Sequence, residues 1–351
     1  MWAARWTVAL VLAAGLALAA CGQGMSDEVE IAAGWTVELV RDDLDRPTQL
    51  ALAPGGTRVL VAELSGEEEA GSGRVRDLGP GGTADAPQVL LDDLRLPTGL
   101  VALDDQALLV QEGRELVRWD LAGASDGVDD ERTVLAGDLP WNGRSQGTLT
   151  LLDDGRVLHS ATLAGPEPDL VAGSGAVYAT PVDGSGAPEL VAVGFNVPYA
   201  HAVGDDGRLW VTDVGDGRVD GQQVLEELHA FDRIDAGQPV TGGWPLCTGR
   251  NRPVVEFGAT QRDCADLPLP VAVFPPRSTP TGLALAADGG VLVALFTTQT
   301  VRGGVAAVQP DGTITDVVRG LVTPQDLVAL PDGSFLLTSH LGGELYHLTP
   351  P

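Results

Sequence analysis

The sequence predicts an all-β chain: a six-bladed β-propeller of four-stranded antiparallel blades, closed by an N-terminal strand. Three observations carry that expectation. A hairpin of two short apolar strands around a tight turn recurs six times along the body of the chain. Val61, Val110, His159, Val211, Val293 and Leu337 end or nearly end the second strands, and they are spaced 49, 49, 52, 82 and 44 residues apart. A unit of ~50 residues matches a four-stranded blade. The intervals are rich in the chain's 46 glycines and 24 prolines, so they cannot supply the amphipathic helices that a (β/α)8 barrel places between its strands.

Residues 1–20 read as an address. Arg5 gives a positive start, and the apolar run over 8–20 is too short to span a bilayer comfortably but fits a secretory hydrophobic region. It ends in Leu18-Ala19-Ala20-Cys21, then Gly22. Small residues before a cysteine resemble the bacterial lipobox, which implies cleavage before Cys21 and lipid attachment to its thiol. An ordinary cleavage site with a chance cysteine is the other reading. Residues 21–30 then form a lipidated polar tether, and the expected product is an extracytoplasmic, membrane-anchored lipoprotein that touches the membrane only through its lipid.

The propeller is expected over 31–351. Its hairpins pair 49–52 with 58–61, 99–102 with 107–110, 148–151 with 156–159, 201–203 with 208–211, 283–285 with 290–293, and 327–330 with 334–337. Four of the six turns carry Asp-Gly, which supplies the positive φ that tight hairpins demand; Asp104-Asp105-Gln106 is the weakest. Segments 175–179 and 304–308 read as strands further out in their blades. Segment 35–40 is expected to pair with the last blade and hide an edge.

Charge excludes several functions. The 351 residues carry a net charge of −28, and all 21 cations are arginine, with no lysine. Lysine Schiff-base chemistry and a Walker-type phosphate loop are therefore absent. Nucleic acid is no partner for so acidic a chain. Besides Cys21 there are Cys247 and Cys264. An oxidising compartment favours a bridge between them, contributing on the order of 3 kcal/mol in the chain-entropy picture, with two free buried thiols as the other possibility.

Two strands joined by a tight turn begin and end on one side of the disc. Residues entering first strands (Arg46, Thr48, Gln49, Thr98, Arg144, Gln146, Asn196, Tyr199, Arg277, Thr281, Gln325, Asp326) and leaving second strands (Glu63, Gln111, Glu112, Ser160, Asp213, Thr297, Ser339, His340) therefore share a face. This ring is where a small-molecule pocket is expected. The opposite face, with its Asp-Gly turns, is expected to carry no chemistry. The 82-residue interval implies an insertion at about 213–275, emerging on the polar face and bordering the pocket.

Within that region the sequence reads Gly207-Arg208-Leu209-Trp210-Val211-Thr212-Asp213-Val214-Gly215, then Glu226-Glu227-Leu228, then Gly243-Trp244-Pro245-Leu246-Cys247; Pro280-Thr281-Gly282-Leu283 and Pro324-Gln325-Asp326 follow. These stretches resemble the glucose/sorbosone dehydrogenase family, quinoprotein propellers that oxidise sugars with PQQ and bind calcium. The resemblance implies PQQ contacts at Arg144, Asn196, Arg277 and Gln325, and a calcium site at Asp220 and Glu227 with backbone near Gly215; a pair of solvated acids is the other reading of those carboxylates. It also breaks at important positions. The family's histidine base falls on Arg144, which cannot take a proton from a hydroxyl. The family's Arg-Asn-Pro is Asn196-Val197-Pro198 here, and its lysine is missing. His201 and His340 are candidates for a relocated base or are strand-end packing residues. Three functions stay open: a quinoprotein sugar dehydrogenase, a catalytically silent propeller that binds a ligand or partner, and a calcium-assisted lactone hydrolase.

Overall fold

The computed structural model describes residues 29–65, 71–121, 130–143, 146–234, 237–297 and 303–351. The leader, Cys21, the tether up to residue 28, and Arg144 lie outside the described residues.

Six antiparallel sheets follow one another along the chain, each built from the inside outwards. Blade 1 contains Pro47–Leu52, Arg58–Glu63, Gly73–Pro80 and Gln88–Leu94; blade 2 contains Pro97–Ala102, Ala107–Glu112, Glu115–Asp120 and Glu131–Ala136. Blade 3 has only a short inner strand, Thr150–Leu151, followed by Arg156–Ala161, Ala176–Pro181 and Glu189–Val193. Blade 4 contains Pro198–Val203, Leu209–Asp213, Glu226–Phe231 and Ala272–Phe274, and blade 5 contains Pro280–Leu285, Val291–Leu295, Gly303–Val308 and Ile314–Leu321. Blade 6 takes Pro324–Ala329, Phe335–Ser339 and Glu344–Thr349 from the C-terminus and its outer strand, Thr36–Arg41, from the N-terminus. Thr36 pairs with Thr349 and Leu39 with Tyr346, so the expected ring closure forms. Glu30–Ile31 also pairs, with Arg319 and Val318 on the outer edge of blade 5. Residue 30, expected in the tether, is therefore part of the sheet.

Second strands are buried on both faces because each blade is covered by its two neighbours. They read as continuous apolar runs such as Val59-Leu60-Val61-Ala62 rather than as alternation. Leu60, Ala62 and Val75 of blade 1 pack against Leu100, Leu108 and Val110 of blade 2, and the same kind of layer fills the gap between blades 5 and 6.

Five inner strands begin with proline: Pro47, Pro97, Pro198, Pro280 and Pro324. A first strand residue that needs no N–H is a tolerated place for it. A register shift follows each of them, and side chains fill the missing bonds. Thr212 Oγ1 accepts from Ala200 N at 2.9 Å, and Thr338 Oγ1 accepts from Asp326 N at 3.1 Å. In blade 3 Gln146 stands where the other blades have proline, and Gly147 follows it at φ 96°, where a Cβ would collide with the Tyr199 carbonyl. Gln49 spans the channel towards this weakest inner strand. Its amide donates to Leu149 O at 2.9 Å, and its carbonyl accepts from Leu149 N at 2.9 Å and Leu100 N at 2.6 Å.

The insertion is divided in two by the third strand of blade 4. The first piece holds the hairpin Arg218–Val219 and Gln222–Gln223 on the polar face. The second leaves Phe231 on the far side and adds Val240–Thr241 in parallel to Ala192 and Val193 of blade 3. It then reaches the hairpin, where Trp244 and Val254 pack on Val219 and Val224. The expected Cys247–Cys264 disulfide is present in this second piece.

Replacing Gln49 by alanine leaves two buried N–H groups and one carbonyl without partners. The expected cost is on the order of 3 kcal/mol, read from urea unfolding midpoints.

Candidate functional site

A cavity of about 710 Å³ lies at the polar end of the axis. Its wall is built by a simple rule: the residue after each inner-strand proline faces the channel. Thr48, Thr98, Tyr199, Thr281 and Gln325 all line it, with Gln146 from blade 3. Tyr199 and Gln325 meet across the ring, Gln325 Nε2 donating to the Tyr199 hydroxyl at 2.9 Å. The rim is tightly turned. Leu96 and Thr279, each just before a proline and each lining the cavity, have φ of 48° and 51°. Such non-glycine conformations gather at functional sites, where surrounding structure holds them. The first piece of the insertion supplies Gly215, Asp216, Gly217, Arg218 and Gln223, so among the described residues only that piece borders the pocket.

Two cations and a histidine stand among these groups. Arg277 is exposed to the cavity, and among the described residues its guanidinium has no hydrogen-bond or ion-pair partner. Arg218 donates to Gly221 O at 2.6 Å. His340, at the end of the second strand of blade 6, donates from Nδ1 to the Pro47 carbonyl at 3.0 Å, since a carbonyl can only accept. In the neutral ring the lone pair is then on Nε2. The other polar residues expected on this ring from second strands are not in the wall. They lie one strand further from the axis, and two of their carboxylates are consumed inside the blades: Glu63 by Arg74 and Arg76 at 3.0 Å, and Asp213 by Asn196 N and Val197 N at 2.7 Å. Burial, and then the nearby Glu227 charge, push the Asp213 carboxyl well above the ordinary carboxylate range.

Besides Asp216, the carboxylate that reaches the cavity is Glu226, which sequence reading passed over for its neighbour. It accepts from Gly215 N at 2.9 Å and Arg277 N at 2.8 Å. Burial raises its pKa to about 7 against the pull of those amides and that of Thr279. Adjacent strand residues point to opposite faces. Glu227 therefore turns away with His229, two residues on, whose Nε2 lies 2.9 Å from it, and it also accepts from Thr248 Oγ1 and Gly249 N.

The structure does not gather the expected calcium ligands. Asp220 caps the second piece of the insertion, accepting from Val255 N at 3.0 Å and Glu256 N at 2.8 Å. Gly215, Asp220 and Glu227 thus each serve a different local bond, and among the described residues no three acids, histidines or cysteines form a metal cluster. Asn196 is not among the residues that line this cavity. It is buried, and its amide donates to Asp216 O at 3.0 Å. His201 is on the axis but lines a different cavity at the other end. Of the expected site residues, Arg277, Gln325, Gly215 and His340 meet at the first cavity.

No protein-family model and no curated protein matches the chain. Solved structures do match. The holo PQQ domain of pyranose dehydrogenase from Coprinopsis cinerea is 15% identical, with a TM-score of 0.72, covering 93% of this chain and 98% of that one. A calcium structure of a carbohydrate-active enzyme of family AA12 from Trichoderma reesei is 17% identical at a TM-score of 0.74, with the same coverages. The apo soluble aldose sugar dehydrogenase from Escherichia coli is 18% identical at a TM-score of 0.64, covering 90% of this chain and all of that one. The chain has the fold of these sugar-dehydrogenase propellers. The similarity runs through the whole ring.

Two outcomes follow from the site's charges. Asp326, which accepts from Leu50 N at 2.8 Å, is raised by burial from its ordinary 3.8 to about 7. Between those values the folded chain holds a proton that the unfolded chain has lost. Stability therefore falls as pH rises from 4 to 7, by up to roughly 4 kcal/mol from this group. In Asp326→Asn that part of the slope is expected to vanish, as measured by urea unfolding across the range. Chelation with EDTA is expected to leave the melting temperature of the purified protein unchanged, because its acids are held by N–H and O–H donors; a clear drop by calorimetry would reveal a bound ion.

Proposed function

We propose that this chain is an oxidoreductase that binds a PQQ-type quinone and a sugar-like alcohol in the axial cavity. We also propose that it works outside the cytoplasm as a lipoprotein anchored through Cys21. The observation that carries the first proposal is the meeting of His340, Arg277 and Gln325 in one cavity large enough for both ligands. The fold of the sugar-dehydrogenase propellers supports it. The apolar leader ending in Ala20-Cys21 supports the second, as does the chain's attachment at the disc rim through Glu30–Ile31.

The residues present fit an anionic, oxygen-rich cofactor. The Arg277 guanidinium has the fork that binds carboxylates, Arg218 adds charge nearby, and the Gln325 amide and the Thr98 and Thr281 hydroxyls supply neutral hydrogen bonds. When bound, such a quinone supplies the two-electron acceptor that no side chain here provides. The chain itself orients the alcohol and moves its proton. The Pro47 carbonyl orients the His340 ring at the cavity, and His340 is the group proposed to take the hydroxyl proton. The insertion hairpin, backed by Trp244 and Val254, walls the cavity from bulk water.

A ligand-binding propeller without redox chemistry is the second reading, favoured by the inward turn of Asn196 away from the cavity. Reconstitution with PQQ, followed by dye reduction with a panel of aldoses, separates the two. Turnover is expected, reduced about 100-fold or more in kcat by His340→Ala, whereas Arg277→Ala weakens PQQ binding about tenfold. A cofactor absorbance shift without turnover would favour the binding protein, and no shift at saturating PQQ would remove the oxidoreductase.

A further inference from the structure

Arg277 stands at a place in the chain where glycine is the ordinary choice. Pro275-Pro276-Arg277-Ser278 is a tight turn, in which the Ser278 N–H and hydroxyl both donate to Pro275 O, at 3.1 and 2.6 Å. Proline is second, and the third residue, Arg277, has φ 70°. That is the type II pattern, whose third place suits glycine or asparagine. An arginine there is strained, and such strain persists only where the surrounding structure holds it. The guanidinium is exposed, lines the axial cavity and has no partner among the described residues.

Glu226 is the group that holds the turn. It opens the third strand of blade 4 opposite Phe274, the residue just before the turn, and it is buried. Its Oε1 accepts from Arg277 N at 2.8 Å and its Oε2 from Gly215 N at 2.9 Å. A Cβ on Gly215 would collide with the Leu225 carbonyl, so glycine is what lets that loop come close enough to donate. Both carboxylate oxygens are thus engaged by the main chain. An acid beside an arginine ordinarily takes the guanidinium in a forked ion pair. Here it takes the arginine's backbone N–H, and the fork is left over for something else.

We propose that Glu226 is the positioning residue of an anion site at Arg277: it pins the turn to the insertion loop, so that the guanidinium faces the cavity unpaired and receives a ligand carboxylate. This rests on the reading of the axial cavity as the seat of an anionic quinone, and it adds the residue that sets the geometry there. Glu226 acts through Arg277.

The direction of one substitution decides the matter. Above about pH 8 the carboxyl, raised by burial to about 7, is ionised. By charge alone, Glu226→Gln then removes a repulsion and tightens anion binding. Positioning predicts the opposite, because the amide keeps one acceptor and turns an NH2 group against the second backbone N–H. PQQ is expected to bind Glu226→Gln about tenfold more weakly than the unaltered chain. Glu226→Asp keeps the charge but is a methylene too short to reach both N–H groups, and the same loss is expected. In an Arg277→Ala background, Glu226→Gln should cost nothing further. Arg277→Gly suits the turn, so it should keep or raise the melting temperature while binding PQQ about tenfold more weakly, even if the Glu226 variants do not fold. Benzene-1,3,5-tricarboxylate is titrated in parallel as an anion without a quinone. The same order of affinities for it, with no binding of PQQ, would remove the quinone reading and leave Glu226 in its role. Unchanged or tighter anion binding by Glu226→Gln, losses that multiply in the double variant, a lower melting temperature for Arg277→Gly, or no binding of either anion to the unaltered chain would each overturn the proposal.

Discussion

The ring depends on how the edges of its innermost strands are satisfied. Each blade pairs its first strand on one side only; on the other side the strand faces the channel, where no further strand can fit. Open N–H and C=O groups there need partners, and this chain supplies them from side chains. Asp326 takes Leu50 N, Gln49 takes Leu100 N and both backbone groups of Leu149, and Thr212 and Thr338 repair the register shifts in their own blades. These bonds join blade 6 to blade 1 and blade 1 to blades 2 and 3. They also divide the axis into two chambers, so the interactions that hold the disc together decide where ligands can sit.

The fold was legible because its signals are local. The repeated apolar pairs and Asp-Gly turns describe each hairpin without reference to its neighbours, and six such units can bury their faces only by stacking around an axis. A second repeat was equally visible and went unused: Pro-Thr-Gln, Pro-Thr-Gly, Pro-Tyr-Ala, Pro-Thr-Gly and Pro-Gln-Asp open five inner strands, and the residue after each proline faces the cavity. The site was less legible because it depends on parity and depth. Glu226 and Glu227 are adjacent acids, and which one faces inwards is set by the pairing of Glu227 with Asp213. His201, a candidate base or packing residue in the sequence, is buried at the other end of the axis from the first cavity. The long interval between the fourth and fifth hairpins conceals a blade strand, Glu226–Phe231, so one apparent insertion is two, with different tasks.

Charge is handled differently at the rim and at the centre. Arg58, Arg118 and Arg156 sit against Asp77, Asp120 and Asp154 within 2.8 Å, and such surface pairs contribute little to stability. Arg277 has no such partner among the described residues. In a chain with a net charge of −28, the far field opposes an approaching anion. Any affinity for one has to arise within the cavity, from that guanidinium and its neighbours.

Closing the last blade with Thr36–Arg41 also constrains how the protein is made. Thr36–Arg41, one of the earliest strands to be made, finds its partner, Glu344–Thr349, only after the inner strands of all six blades have been made. Blades 1 to 5 can gather their four main strands as they emerge, but the circle cannot shut until Glu344–Thr349 arrives. Contacts so distant in sequence form slowly. A nascent chain therefore passes through an open horseshoe with a bare edge at each end, and that is the stage at which it is most exposed to pairing with another copy of itself.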